Sequence, residues 1–126
     1  MAESEPRPGG LLAWQWGLYA AGHTRRANLL IHVLTVPVFQ IGTLALFSSP
    51  LLGAAFAMVG PVLMVGAMAA QGRGHAGEPE RPVRFHGPLD VIARIMAEQW
   101  IAFPRFVLTG GLARAWRASA PRAGRT

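Results

Sequence analysis

Residues 27–47, ANLLIHVLTVPVFQIGTLALF, carry no formal charge unless His32 is protonated. A helix of this length covers roughly 30 Å, which is the thickness of the hydrocarbon core of a bilayer. Pro37 lies near the middle of the run and removes one backbone hydrogen bond, so a kink or local opening is expected just before it. The run therefore predicts a helix that can cross a membrane.

A second uncharged run, LLGAAFAMVGPVLMVGAMAA, covers residues 51–70. It is rich in glycine and alanine, which allow two helices to approach closely in lipid. Residues 48–50, Ser-Ser-Pro, separate the two runs and predict a short polar turn. The two runs together predict a transmembrane hairpin.

Arginines flank this hairpin on both sides and are absent from the 48–50 turn: Arg25, Arg26, Arg73, Arg81 and Arg84. By the positive-inside rule, both ends of the hairpin face the cytoplasm. The sequence therefore predicts a protein of the cytoplasmic membrane with both termini cytoplasmic.

Two shorter helices are predicted beside the hairpin. Residues 11–22 are apolar and aromatic but too short to span a bilayer, which is typical of an interfacial helix, although a core helix of a soluble bundle fits equally well. In residues 89–103, Asp90, Arg94 and Glu98 form one polar stripe opposite an apolar arc, so this amphipathic helix lies on the membrane or covers the bundle. The predicted fold class is an all-α integral membrane helical bundle.

Composition limits the domain organisation and the partners. A chain of 126 residues predicts one domain, placed at residues 11–116, with disordered ends at 1–10 and 117–126. The net charge of +6 comes from arginine alone, which suits anionic lipid headgroups better than nucleic acid. The absence of cysteine excludes disulfides and thiolate metal sites. Assembly into a homo-oligomer stays open.

Three histidines lie at the predicted cytoplasmic end of the hairpin: His23, His32 and His75. Asn28 and His32 are four residues apart and share a helix face, and Gln71 and His75 have the same relation on the second helix. A short turn at the far end brings these pairs level. The sequence therefore predicts that several imidazoles and amides converge at one membrane surface.

Imidazole at neutral pH suits iron, zinc or copper, and Glu78 and Glu80 are nearby candidates for a carboxylate ligand. The alternative is that the histidines are hydrogen-bonded structural residues at helix ends. His86 has no evident partner and is interpreted as structural or supporting.

The order of these residues resembles a known family. His23, Asn28, His32 and Pro37, followed after the hairpin by Gly74-His75 and a glutamate before proline, are similar to the membrane 2-hydroxy fatty acid dioxygenases. The resemblance covers about residues 14–113, and the ending EQWIAFPRFVLTGG is similar to a bacterial branch. In many members the glutamate lies four residues after the Gly-His histidine, whereas Glu78 is three after and Glu80 five after.

The resemblance implies an iron(II)-dependent enzyme that uses dioxygen to remove one carbon from long-chain 2-hydroxy fatty acids. It implies that His23, His32 and His75 are the catalytic iron ligands, with Glu78 as a candidate fourth. Asn28 and Gln71 are then supporting residues around the ligands.

The candidates to hold the substrate carboxylate are three arginines, although arginines that flank a hydrophobic run more often serve as topology determinants and lipid contacts: Arg25, Arg26 and Arg73. The acyl chain is expected along residues 51–70, among membrane lipids. Two other classes remain open. One is a small haem- or quinone-binding membrane subunit, and the other is a non-enzymatic membrane scaffold.

Overall fold

A computed structural model describes residues 6–120. The regular structure in this range is entirely helical, and no strand is present in it. In chain order the helices are α1 Gly10–Tyr19, α2 Arg26–Leu52, α3 Ala54–Ala76, α4 Pro88–Ala97, a π-helical turn Glu98–Ala102, α5 Phe103–Leu108 and α6 Gly111–Ala118. The predicted all-α class is confirmed. The prediction of disordered ends covered residues 1–10 and 117–126. Residues 1–5 and 121–126 lie outside the described residues. At the inner edges of the predicted ends the chain is helical, because α1 begins at Gly10 and α6 continues to Ala118.

The hairpin of α2 and α3 turns at Gly53, and the prediction of a turn at residues 48–50 is wrong. The Ser49 hydroxyl donates to the Leu46 carbonyl at 2.7 Å, so the serine is satisfied within the helix. Gly53 has φ 109°, a conformation that residues with a Cβ rarely adopt. The helix therefore ends at the glycine, and α2 runs on through both Pro37 and Pro50.

Glycines bring the two long helices into close contact. A Cβ on Gly42 would lie 2.7 Å from the Gly60 carbonyl oxygen, and a Cβ on Gly60 would lie 2.7 Å from the Gly42 oxygen. No side chain fits at such a distance, so the backbones touch through this pair.

Much of the outer surface of the hairpin is apolar. Leu44, Phe47, Leu51, Met58 and Val62 are each more than half exposed. Exposed apolar surface on this scale marks a face that meets lipid or another protein. Both α2 and α3 are long and apolar enough to cross a membrane, which suggests membrane association.

The segment from α4 to α5 packs across the hairpin with its polar residues inward. Arg94 is buried and donates to the carbonyls of Val83 and Arg84, while Leu89 and Ile92 are 82% and 59% exposed. Helices α1 and α6 pack against the N-terminal half of α2. Their shared core with α2 and α5 contains Tyr19, Leu29, Val36, Ala102, Phe103 and Phe106.

Candidate metal centre

Three imidazoles and one carboxylate converge at the open end of the hairpin. The Glu98 Oε1 atom lies 3.3 Å from His32 Nε2, 3.7 Å from His23 Nε2 and 3.8 Å from His75 Nε2. His23 Nε2 and His32 Nε2 are 3.3 Å apart. These four donors form a group of ligating residues that lies close enough to hold a metal ion.

Each ligand comes from a different part of the fold. His23 lies in the connection between α1 and α2, His32 in the second turn of α2, and His75 in the last turn of α3. Glu98 is the first residue of the π-helical turn. The donors therefore meet only when α1, the hairpin and the α4–α5 segment are packed together.

Hydrogen bonds fix the tautomers of two histidines. His23 Nδ1 lies 2.7 Å from the Tyr19 carbonyl oxygen, and His32 Nδ1 lies 2.9 Å from the Asn28 carbonyl oxygen. A carbonyl only accepts, so each Nδ1 carries the proton and each neutral ring presents a lone pair at Nε2. Metal-binding histidines commonly show this arrangement.

The centre of the cluster is consequently rich in acceptors. Burial lowers the pKa of His23, which favours the neutral imidazole. Lone pairs of His23 and His32 and an ionised carboxylate oxygen then face one point, and a cation or a proton is needed between them.

The spacing suits a metal ion. An ion about 2.0–2.1 Å from each donor places neighbouring donors about 2.8–3.4 Å apart in right-angled or tetrahedral arrangements. Of the six separations among the four donors, two are 3.3 Å, two are 3.7 Å and 3.8 Å, and all lie within 4.8 Å, so the shortest pairs fall in this range and others exceed it. The three ring planes are nearly perpendicular to one another, at 81–84°, as expected for rings pointing at a common centre.

The cluster is buried on one side only. The side chains of His32 and His23 are 0% and 4% exposed, whereas those of His75 and Glu98 are 18% and 17% exposed. The more exposed side of the cluster is therefore that of His75 and Glu98.

Glu78 occupies a different position from that expected of a ligand. Its Oε1 accepts hydrogen bonds from the backbone N–H groups of Thr24 and Arg25 and from Asn28 Nδ2, at 2.9–3.0 Å. Its Oε2 accepts from the Thr24 hydroxyl at 2.6 Å. The carboxylate thus caps the N-terminus of α2, and the carboxylate of the metal cluster is Glu98 instead.

Asn28 ties this cap to the cluster. Its side chain donates to Glu78 and to the Gly22 carbonyl, and its own carbonyl accepts from His32 Nδ1. Gly74 packs directly against the Asn28 side chain, and any Cβ there would collide with its Oδ1. Residue 74, which precedes His75, must therefore be glycine for the Asn28 side chain to pack against it.

The other predicted site residues lie around the cluster. Gln71 is buried and pairs with Gln99 one helical turn from His75. Arg26 donates to Ser119 and Trp116. The remaining candidates are exposed and contribute no donor to the cluster: Arg25, Arg73, Glu80 and His86.

The sequence analysis did not name Glu98 as a candidate ligand, because the polar stripe that it forms with Asp90 and Arg94 also fits a solvated helix face. A usable signal was present. In a bundle surrounded by lipid the apolar arc faces outward and the polar stripe faces the interior, so a carboxylate in that stripe points at the histidines.

An apolar cavity of about 420 Å³ adjoins the cluster between α1, α5 and α6. His23 lies in its wall together with Trp16, Tyr19 and Phe106, and Arg114 provides a cation in the lining. Binding sites for small molecules typically have volumes of roughly 300–1,000 Å³.

Searches of protein-family models, of curated proteins and of solved structures found no match to this chain.

Proposed function

We propose that the protein is an iron(II)-dependent dioxygenase that shortens long-chain 2-hydroxy fatty acids by one carbon. The observation that carries this proposal is the convergence of His23, His32, His75 and Glu98 on one acceptor-rich centre with an exposed side. Three imidazoles and one carboxylate form a donor set that suits Fe(II).

The chemistry balances without an added reductant. Cleavage of the C1–C2 bond converts the 2-hydroxy acid and one dioxygen into the shorter acid, carbon dioxide and water, so the four electrons lost by the substrate are those that dioxygen takes up. Bound Fe(II) would supply the one-electron steps by which dioxygen reacts with the acid. His23, His32, His75 and Glu98 would hold the ion.

The surrounding residues would hold the ligands in the form that binds a cation. The Tyr19 and Asn28 carbonyls keep His23 and His32 as Nδ1–H tautomers with free Nε2 lone pairs. Both histidines are buried, so water is kept from that side of the centre.

The cavity beside His23 offers room for an acyl chain. Its wall is aromatic and small apolar side chains, and Arg114 is available for a carboxylate. We place the chain there rather than along residues 51–70, because the cavity adjoins a ligand of the candidate metal.

A membrane location would bring enzyme and substrate together. With α2 and α3 as the spanning pair, Arg25, Arg26 and Arg73 fall at the same end as the cluster, and the positive-inside rule puts that end and both termini on the cytoplasmic side. Long-chain 2-hydroxy acids partition into the same membrane, with their polar heads at the depth of its surface.

The decisive experiment uses full-length protein purified in detergent and loaded anaerobically with Fe(II). It is mixed with oxygen and 2-hydroxy fatty acids of several chain lengths, and mass spectrometry follows the acid one carbon shorter. We expect product with the 2-hydroxy acids and none with fatty acids of equal length that lack the 2-hydroxyl. No product above an iron-only control at any chain length would refute the function.

Cavity-filling variants test the path of the chain. Ala115→Phe narrows the cavity, whereas Ala113→Phe places the same ring on an exposed position of α6 that does not line it. We expect Ala115→Phe to raise KM for long chains while iron stoichiometry stays unchanged, and Ala113→Phe to behave as the wild type. Equal KM values in the two variants would contradict this path.

A second candidate is a scaffold whose bundle is held together by zinc. Four protein donors around one ion are typical of structural zinc sites, and here they come from separate elements. Zinc that raises the thermal stability, together with an iron form that gives no turnover, would favour it. A haem is disfavoured by the geometry, because four donors meeting at one point leave no plane for the macrocycle.

A further inference from the structure

A second polar cluster lies one helical turn deeper in the hairpin than the histidines. Gln71 Nε2 donates to Gln99 Oε1 at 3.1 Å, and Gln99 Nε2 donates to Gln71 Oε1 at 2.7 Å. Both side chains are at most 1% exposed. Gln71 also donates to the Thr35 hydroxyl at 3.0 Å, which in turn donates to the Ile31 carbonyl. Amides this deeply buried are retained only when their hydrogen bonds are made.

The π-helical turn that carries Gln99 has an origin in the sequence. In an α-helix the Phe103 N–H would bond to the Gln99 carbonyl, but here it bonds to the Glu98 carbonyl. In the wider turn the next donor would be residue 104, which is proline and has no N–H. Pro104 therefore leaves the Gln99 carbonyl without either of these backbone donors.

Gln40 of α2 takes the place of the missing donor. Its Nε2 donates to the Gln99 carbonyl at 2.9 Å. Gln99 is thus bound to α2 through its backbone and to α3 through its side chain. Its preceding neighbour in the chain is Glu98, the carboxylate of the candidate metal centre.

We propose that Gln40, Gln71 and Gln99 are positioning residues that lock the Pro104-imposed turn and aim the Glu98 carboxylate at the three histidines. Gln71 lies four residues before His75 on α3, so the same amide pair also fixes the distance between His75 and Glu98. This inference rests on the metal centre of the proposed function and adds how its carboxylate is oriented.

The test compares metal binding in three full-length proteins: the wild type, the double variant Gln71→Met with Gln99→Met, and Thr43→Val. Methionine has nearly the shape of glutamine, and replacing both members of a pair by apolar groups is close to neutral for folding. Thr43→Val is the control, because it removes a buried side-chain hydrogen bond to the Phe39 carbonyl within α2 and touches none of the three glutamine hydrogen bonds. Binding of Fe(II) and Co(II) and the visible spectrum of bound Co(II) are measured.

We expect the double variant to bind both ions about 10–100-fold more weakly, as is typical when residues that orient a ligand are lost, and to change the Co(II) spectrum. The control should match the wild type. Unchanged affinity and spectrum in the double variant would overturn the positioning role while leaving the metal centre intact. A wild type that binds neither ion would overturn the proposed function as well.

Gln40→Met provides a second route should the double variant not fold. It removes one bond to the Gln99 carbonyl and should weaken metal binding in the same direction. Adding Pro104→Ala restores a backbone N–H near that carbonyl and should recover part of the affinity. Equal affinity of Gln40→Met and the wild type, or no recovery by Pro104→Ala, would count against the proposal.

Discussion

Two carboxylates, one buried and one partly buried, lie at the same end of the hairpin in opposite surroundings. Glu78 is surrounded by donors, with two backbone N–H groups, one amide and one hydroxyl directed at it. Glu98 is surrounded by imidazole nitrogens, two of which present lone pairs because their other nitrogens donate to carbonyls. The hydrogen bonds of the protein therefore satisfy Glu78, whereas Glu98 needs a cation between it and the histidines.

The difference separates a structural carboxylate from a ligand more reliably than position in the sequence does. Glu78 is three residues from His75 and was the natural candidate, while Glu98 is 23 residues away. Their roles are decided by whether the neighbouring groups are hydrogen-bond donors or acceptors. A carboxylate surrounded by donors already has its acceptor oxygens satisfied. Exchanging each carboxylate for its amide should therefore give two different phenotypes.

The largest effect is expected for Glu98→Gln. The amide lacks the negative charge and presents N–H donors or a weaker oxygen to the ion. We expect metal affinity to fall by more than the roughly 10–100-fold that loss of an orienting partner costs, with the fold retained. Metal content after gel filtration, with circular dichroism to monitor the fold, checks this. Stoichiometric metal in Glu98→Gln would remove the distinction between the two carboxylates.

Gly74→Ala should disturb the hydrogen bonds around Glu78 and thereby lower the stability of the fold. The added methyl group meets the Asn28 side chain, which donates to Glu78 and whose backbone supports His32. We expect a loss of stability of about 1–3 kcal/mol, as for other overpacked sites. Thermal denaturation in detergent is the measurement.

Gly72→Ala is the matched control for this variant. It lies on the same helix, and a Cβ there meets nothing within 4 Å. Alanine also favours helix by up to about 1 kcal/mol over glycine, so Gly72→Ala should be neutral or slightly stabilising. Equal melting temperatures for the two variants would show that the packing of Asn28 on Gly74 is unimportant.

Glu78→Gln should lower stability while metal binding persists. The replacement removes the charge that faces the N-terminus of α2 and leaves at least one buried donor poorly paired. We expect a loss of about 1–3 kcal/mol by thermal or chemical denaturation, with unchanged metal stoichiometry. Loss of metal at retained stability would reverse the roles assigned to the two glutamates.

The hairpin was predictable because length and hydropathy report directly on helices in an apolar environment. Residues 27–47 lie within α2 and residues 54–70 within α3, while residues 51 and 52 still belong to α2 and residue 53 lies between the helices. The turn was misplaced because Ser49 is satisfied within the helix, and Gly53 offers the conformation that ends it. Local composition could not distinguish these two options.

The three histidines were also predictable, because a short hairpin brings the start of α2 level with the end of α3. Glu98 was not, since its direction depends on how the α4–α5 segment packs and on a turn widened next to Pro104. Both are tertiary features. The donors around Glu78 likewise become visible only when residue 78 is seen to return to the N-terminus of α2.

The smallest expected effect is the pH dependence of the Glu78 cap. Burial acts to raise the pKa of Glu78, but hydrogen bonds from Thr24, Arg25 and Asn28 outweigh it and lower this pKa below its ordinary value. The folded state then releases the proton more readily than the unfolded state, whose glutamate has a pKa of about 4.3. The stabilisation is complete above that value and is lost as the pH falls through the lower folded pKa. The stability difference between wild type and Glu78→Gln, measured in the metal-free protein, should be constant near neutral pH and shrink below about pH 4. A difference that grows on acidification would mean that the carboxylate is not stabilised by its donors.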